Sequence, residues 1–374
     1  MTDHTPARND HTRAGDDRTP AETDLLYSQA ESDLRAAVRS LLADRADPAA
    51  LPGRVEADSP CDPALWQALA AGMGTAGLLV PEKLGGQGAT HREAAVVLEE
   101  LGRAVTPVPY LTSSVIATET LLAAGATDLL TRLATGREVA VLAVPLSAGP
   151  DHEPATTGTV TGVADAARAD VLLVPRPDGL YAVDAAEAGI APQTPLDLTR
   201  PLAAVTVPDG AGTRLADADA TRAAVRRGLL AGAGLLASEQ LGVAEWCLEE
   251  TVRHTRERHQ FNRPVGSFQA LKHRMAQLWL EVAGARAAAR NAADALATGS
   301  PEAPLAVAVA QVYCSRVAVH AAEECVQLHG GIGMTWEHPA HLYLKRAKAD
   351  AIALGSAGRH KETLAGLVNL PAPG

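Results

Sequence analysis

The chain has 374 residues, 33 basic against 44 acidic side chains, a net charge of −11, and only two phenylalanines. So acidic a chain repels phosphate backbones, which excludes nucleic acid as principal partner. An apolar fraction of 47% with 21% charged residues excludes wholesale disorder, and the scarcity of aromatics leaves Ala, Leu and Val to build closely packed helices.

Residues 1–22 are polar, lack the apolar core of a signal peptide, and are expected to be a disordered tail. Residues 23–137 read as an N-terminal helical domain. Leu34, Ala37, Val38, Leu41 and Leu42 recur with a helical period. Asp62-Pro63 supplies an N-cap followed by Pro at the first helical position. Val80-Pro81-Glu82 and Gly85-Gly86-Gln87-Gly88 form a loop. Helix resumes near Thr90 and runs to Leu101, with Gly102 as its terminator. Residues 138–214 carry short β-prone runs at 139–144, 171–174 and 202–207 and a weaker one at 157–163. Pro, Gly and Asp separate them, which predicts a small barrel or sandwich. Residues 215–374 return to helix, at 221–259, 268–298, 303–328 and a last one from near Pro339, as in a four-helix bundle. The fold class is α+β, in the order α, β, α.

Cys61, Cys247, Cys314 and Cys325 make no C-x-x-C pair, so a reducing cytoplasm is the simpler setting. No apolar run approaches the roughly 18 residues of a membrane span. His329, His338, His341 and His360 match no zinc spacing, and no metal is expected.

Two stretches carry chemistry. The first, from Arg258 to His273, reads RHQFNRPVGSFQALKH and links two long helices. Arg258 is a fixed cation whose donor fork suits a pyrophosphate; it also suits a helix C-terminus. Both phenylalanines, Phe261 and Phe268, fall here. The second, Gln327-Leu328-His329-Gly330-Gly331-Ile332-Gly333-Met334, puts three glycines at a helix end. One glycine is an ordinary C-cap; a cluster lets backbone approach a ligand closely.

Together these stretches resemble the acyl-CoA dehydrogenase family. LVPEKLGGQG (79–88), EELGR (99–103) and EQLG (239–242) add to the resemblance, which spans roughly residues 25 to 368. It implies an FAD-dependent enzyme that desaturates an acyl thioester, on CoA or a carrier protein, and passes electrons to an electron-transfer flavoprotein or similar acceptor. It implies a homo- or heterotetramer with FAD at a subunit interface. By resemblance Arg258, Gln260, Phe261 and Phe268 face a neighbour's FAD, Gln327, Gly330 and Gly331 approach it from the glycine turn, and Ser356 meets it near the C-terminus.

The catalytic carboxylate is where the pattern fails. The family's usual Glu position falls on Leu354, and the alternative one, on the first bundle helix, falls near Gly232. Asp350, Glu239 and Glu337 are the remaining carboxylate candidates. The middle loop 144–151 keeps only small residues and Asp151 of the family's covering loop, and no Trp lies between Trp66 and Trp246. One reading is a subunit that lends FAD contacts to a homologous partner that holds the base. A homomeric enzyme with a relocated base or other chemistry, and a structural subunit with an empty site, remain open at this point.

Overall fold

The computed structural model describes residues 25–46, 50–56, 61–153 and 158–370, so the tail expected at 1–22 lies outside the described residues. Helix α1 (Gln29–Arg45) opens on a reciprocal cap, the Ser28 hydroxyl accepting from Glu31 N–H and the Glu31 carboxylate from Ser28 N–H at 2.7 Å. After α2 (Leu51–Glu56), Asp62 caps α3 (Pro63–Gln67) as its sequence predicts, accepting from the N–H groups of Ala64 and Leu65. Thr90 and Glu93 form a second capping box on α4 (His91–Arg103). A wide, π-type stretch at Tyr110–Ala117 then leads into α5 (Thr118–Ala124) and α6 (Thr127–Ala134).

Gly102 does not end α4; it lies buried inside it. A Cβ on Gly102 would sit 2.1 Å from the Glu239 carbonyl oxygen, and one on Gly242 only 1.9 Å from that of Glu99. The two glycines thus let α4 and the long α7 (Ala218–Glu257) cross at backbone contact. Buried carboxylates flank the crossing. Arg35 donates to Glu99 at 2.6 Å and to Glu100 at 2.8 Å, tying α1 down, and Arg103 reaches Glu245 at 3.2 Å. The EELGR and EQLG motifs serve this junction.

The middle of the chain forms two sheets. Strands β1 (Ala140–Leu142), β3 (Val171–Arg176), β4 (Gly179–Asp184) and β7 (Thr213–Asp217) lie in that order, with β1 parallel to β3 and the rest antiparallel. Strands β2 (Thr159–Ala164), β6 (Leu202–Thr206) and β5 (Gly189–Gln193) form an antiparallel second sheet. Residues 171–175 of β3 are all buried, which explains its unbroken apolar run.

Helices α7, α8 (Gln269–Ala297) and α9 (Ala303–His329) pack on one another, with α10 (Ala340–Asp350) and α11 (Ala357–Leu367) along α9. Where the sequence predicts one last helix there are two. Leu354 (φ 53°) and Gly355 (φ 101°) are both left-handed, which breaks the helix, and the Ser356 hydroxyl restarts it by accepting from Arg359 N–H at 3.4 Å. The stretch Ala303–Met334 is apolar and long enough to cross a bilayer, yet 61% of its most apolar window is buried inside the fold, as in a core helix.

Candidate functional site

Arg258 is the C-cap residue of α7; its N–H donates to His254 O at 2.9 Å and its carbonyl accepts from Val265 N–H at 2.8 Å. These bonds hold the mouth of a small hairpin, in which β8 (His259–Gln260) pairs with β9 (Arg263–Pro264). The two tip residues, Phe261 (φ 52°) and Asn262 (φ 59°), are both left-handed, as a tight two-residue hairpin requires. Asn tolerates that region; Phe is strained there by about 1–2 kcal/mol. Yet the strained ring is 85% exposed, touching Phe268 edge-on at 6.1 Å while Arg263 covers the Phe268 face at 3.8 Å. Arg258 and Gln260 are exposed too.

The glycine turn follows α9. Gly330 needs its freedom at φ 65°, and Gly333 because a Cβ there would lie 2.8 Å from Val326 O. Gly331 needs it for neither reason: its φ is not in the left-handed region and a Cβ would meet nothing within 4 Å. Gln327, Gly330 and Gly331 are exposed, and so are the apolar Ile332, Met334 and Trp336. Fixed cations, an amide and bare backbone fit a dianionic pyrophosphate. Stacking of His254 on His329 at 4.1 Å brings the Arg258 end of α7 against the end of α9. Ser356 belongs instead to the turn between α10 and α11, and Trp246 stacks flat on buried Tyr343 at 3.6 Å.

The two positions at which the resemblance expects a catalytic carboxylate converge. A Cβ built on Gly232 would lie 2.6 Å from Ile116 Cγ1 and 3.2 Å from Leu354 Cδ1. Leu354 is 1% exposed and its N–H donates to Leu146 O at 2.7 Å. Ile116, Leu142, Val144, Leu229 and Leu354, with Thr112 whose hydroxyl donates to Asp165 at 2.7 Å, line a residual void of about 20 Å³. That is room for about one water. Outside it, a cavity of about 290 Å³ opens between the middle strands and the C-terminal helices, lined by Leu146, Ser147, Thr161, Arg200, Ile352 and Ala353 among others.

Asp350 and Glu239 sit in a buried ion network that the sequence did not suggest. Arg346 donates to Asp197, to Glu239 and to the Thr199 hydroxyl at 2.6 Å, while Arg200 donates to Glu239 and lies 3.5 Å from Asp350. Although burial opposes its charge, Glu239 is held below the ordinary carboxylate value by Arg200 and Arg346. Burial instead pushes Asp350 up to about 8, against the pull of Arg200. Glu337 is exposed.

A second cluster also escaped the sequence reading. Glu250, His329 and His338 each offer one atom within 4.8 Å of the others. His338 Nδ1 accepts Ala340 N–H at 3.2 Å, so its proton lies on Nε2, facing Glu250 at 3.2 Å. That is a hydrogen-bond donor, where a metal would need a lone pair. Glu250 and His254 lie four residues apart on one helix face, which was the available signal.

Family models described as the acyl-CoA dehydrogenase N-terminal and C-terminal domains match residues 28–136 and 222–367. Acyl-CoA dehydrogenase IpdE2 of Mycolicibacterium smegmatis is 38% identical over 329 residues, 88% of this chain and 95% of that one. The crystal structure of the ChsE4–ChsE5 complex from Mycobacterium tuberculosis aligns with a TM-score of 0.82 at 26% identity, covering 94% of this chain and 100% of that one. The structure of a Tcur3481–Tcur3483 steroid ACAD variant aligns at 0.80 and 28% identity over 91% of this chain and 98% of that one.

Proposed function

The chain belongs to the acyl-CoA dehydrogenase family, FAD-dependent oxidoreductases that act on CH–CH groups, and from that premise we propose that it is the base-less subunit of a heteromeric member. The observation that carries the reading is the narrow, largely apolar pocket at Leu354, with Gly232 beside it. The two positions that the resemblance gives for a catalytic carboxylate, Leu354 and one near Gly232, lie side by side and carry hydrocarbon or bare backbone. A leucine cannot accept a proton, so the base comes from a homologous partner.

What this chain contributes is binding. Arg258 and Gln260 donate to the pyrophosphate held by the neighbour, Phe261 walls the same cleft with Phe268 behind it, and Gln327, Gly330 and Gly331 bring amide and bare backbone to it. Ser356, the N-cap of α11, offers its hydroxyl to the flavin end. FAD, when bound, accepts the hydride from the β-carbon. The exposure of a strained Phe261 supports this assignment, since within its own fold the ring gains only an edge contact with Phe268. Relatives solved as two-chain assemblies favour a heterotetramer over a homotetramer. By the same likeness the substrate is an acyl-CoA or acyl-carrier thioester of lipid or steroid type, and the electrons leave to an electron-transfer flavoprotein or similar acceptor. The buried thiols of Cys247, Cys314 and Cys325 favour the cytoplasm.

A homomeric enzyme is the second reading, favoured by the cavity of about 290 Å³ beside Ile352 and Ala353, which leaves space for a ring bound by this chain itself. Purifying the chain alone and with a homologous subunit, then recording flavin spectra, separates the two. Flavin in neither preparation removes both readings. Acyl-CoA oxidation by the lone chain removes the first.

A further inference from the structure

We infer that Glu250, His329 and His338 form a charged clamp that positions the Gly330–Gly331 turn against the Arg258 end of α7 for a dinucleotide pyrophosphate. The inference rests on the FAD-binding reading above and adds three positioning residues to it.

The clamp follows from placement. Glu250 lies about two helical turns before Arg258 on α7. His329 is the last residue of α9, directly before Gly330, and His338 stands on the far side of the same turn. Both flanks of the turn therefore meet one carboxylate, His338 Nε2 at 3.2 Å and His329 Nε2 at 3.5 Å from Glu250 Oε1. Two glycines without side chains cannot orient themselves, so the flanks must do it.

The His329 tautomer is fixed. Its Nδ1 lies 2.6 Å from Cys325 O, which makes Nδ1 a donor and directs any second proton to Nε2, toward Glu250. The side chain is fully buried, and Nε2 has no other partner among the described residues. The ring of His254 stacks on that of His329 at 4.1 Å, and the His338 ring lies tilted against His329 at 4.3 Å. Arg253 locks the carboxylate from α7, its Nε donating to Glu250 at 2.9 Å.

The groups facing this centre are Glu250, Arg253 and His254 from α7, Cys325 and His329 from α9, and His338 from the turn, with Cys247 and Tyr343 buried behind. Burial works against a charged His329, yet Cys325 and Glu250 hold it up to about 10. Burial and the neighbouring His329 charge keep His254 below its ordinary value. At neutral pH the clamp is thus a Glu250 carboxylate and a His329 imidazolium. The cation stands one residue from the turn that would meet the phosphates. A group raised in this way is fully charged below its ordinary value near 6.5 and loses that charge only as pH rises through about 10.

The test measures FAD affinity of the purified FAD-loaded oligomer by flavin fluorescence, from about pH 6 to about pH 8.5, the range in which an unperturbed imidazole titrates. The wild type is expected to be flat. Glu250→Gln removes one of the two groups that hold the imidazolium and leaves Cys325, so the imidazolium titrates lower, toward the ordinary histidine value. FAD binding is then expected to weaken, up to about tenfold, as pH rises across the tested range. Glu250→Asp is expected to restore the flat profile. His329→Gln is expected to be flat and about tenfold weaker throughout, the size of one lost charge-assisted contact. A merely structural role would create no new pH dependence. Wild-type affinity and a flat profile in Glu250→Gln, or wild-type affinity in His329→Gln, overturns the clamp. Arg258→Ala separates the layers. If it leaves FAD affinity unchanged, the underlying binding reading fails; if it loosens FAD while Glu250→Gln does not, the clamp alone fails.

Discussion

Replacing Leu354 with Glu puts a carboxylate where the resemblance to the family places one, inside a narrow, largely apolar pocket. Leu354 is 1% exposed and the residual void is about 20 Å³, so at most about one water accompanies the charge. A buried Glu reaches a pKa of about 8, against about 4.3 unfolded. Its folded value is raised, so the variant is unpenalised below the unfolded value and loses stability as pH rises toward the folded one. At about 1.36 kcal/mol per unit, the loss attributable to charge is about 1 kcal/mol near pH 5 and about 4 kcal/mol near pH 7.5. Leu354→Gln shares the lost packing but not the charge, so it is the reference. The assay is urea unfolding of both variants across that range. If Leu354→Glu tracks Leu354→Gln at every pH, the pocket is wet, and the argument from a narrow apolar site collapses.

Gly242→Ala drives a methyl into the Glu99 carbonyl and is expected to cost about 3 kcal/mol or more by forcing α4 off α7, read as a lower urea midpoint; an unchanged midpoint would mean the crossing is loose. Asp350, raised by burial to about 8, contributes stability below its ordinary value and loses it as pH rises through about 8. Asp350→Asn is therefore expected to flatten the stability profile between about pH 5 and about pH 9 and to overtake the wild type at the alkaline end. Phe261→Asn relieves the left-handed strain at the hairpin tip, so melting temperature should hold or rise while flavin retention by the oligomer falls; retention unchanged would reduce the ring to packing on Phe268.

Local chemistry was legible in the sequence. Asp62-Pro63 caps a helix as read, and the long apolar periods of the C-terminal helices survive almost to the residue. Strands were harder. β5 carries Pro192 on an exposed edge and β7 is another edge, positions where pairing rather than side-chain pattern decides. Gly102 misled because a glycine near a helix end looks the same whether it terminates the helix or admits another backbone; only the α7 crossing distinguishes them. Asp350 and Glu239 read only as candidate carboxylates, and nothing local announces the two buried arginines that join them. The meeting of Leu354 and Gly232 is likewise a contact between residues 122 positions apart, visible only in the fold.

The central claim is that this chain lends FAD contacts to a partner and owns no base. Anaerobic flavin bleaching on addition of acyl-CoA tests it most directly, with the chain alone, with its homologous subunit, and with Arg258→Ala in that assembly. The account requires no bleaching by the lone chain, bleaching by the assembly, and a lower flavin content when Arg258 is replaced. Bleaching by the lone chain, or an assembly indifferent to Arg258, would contradict it.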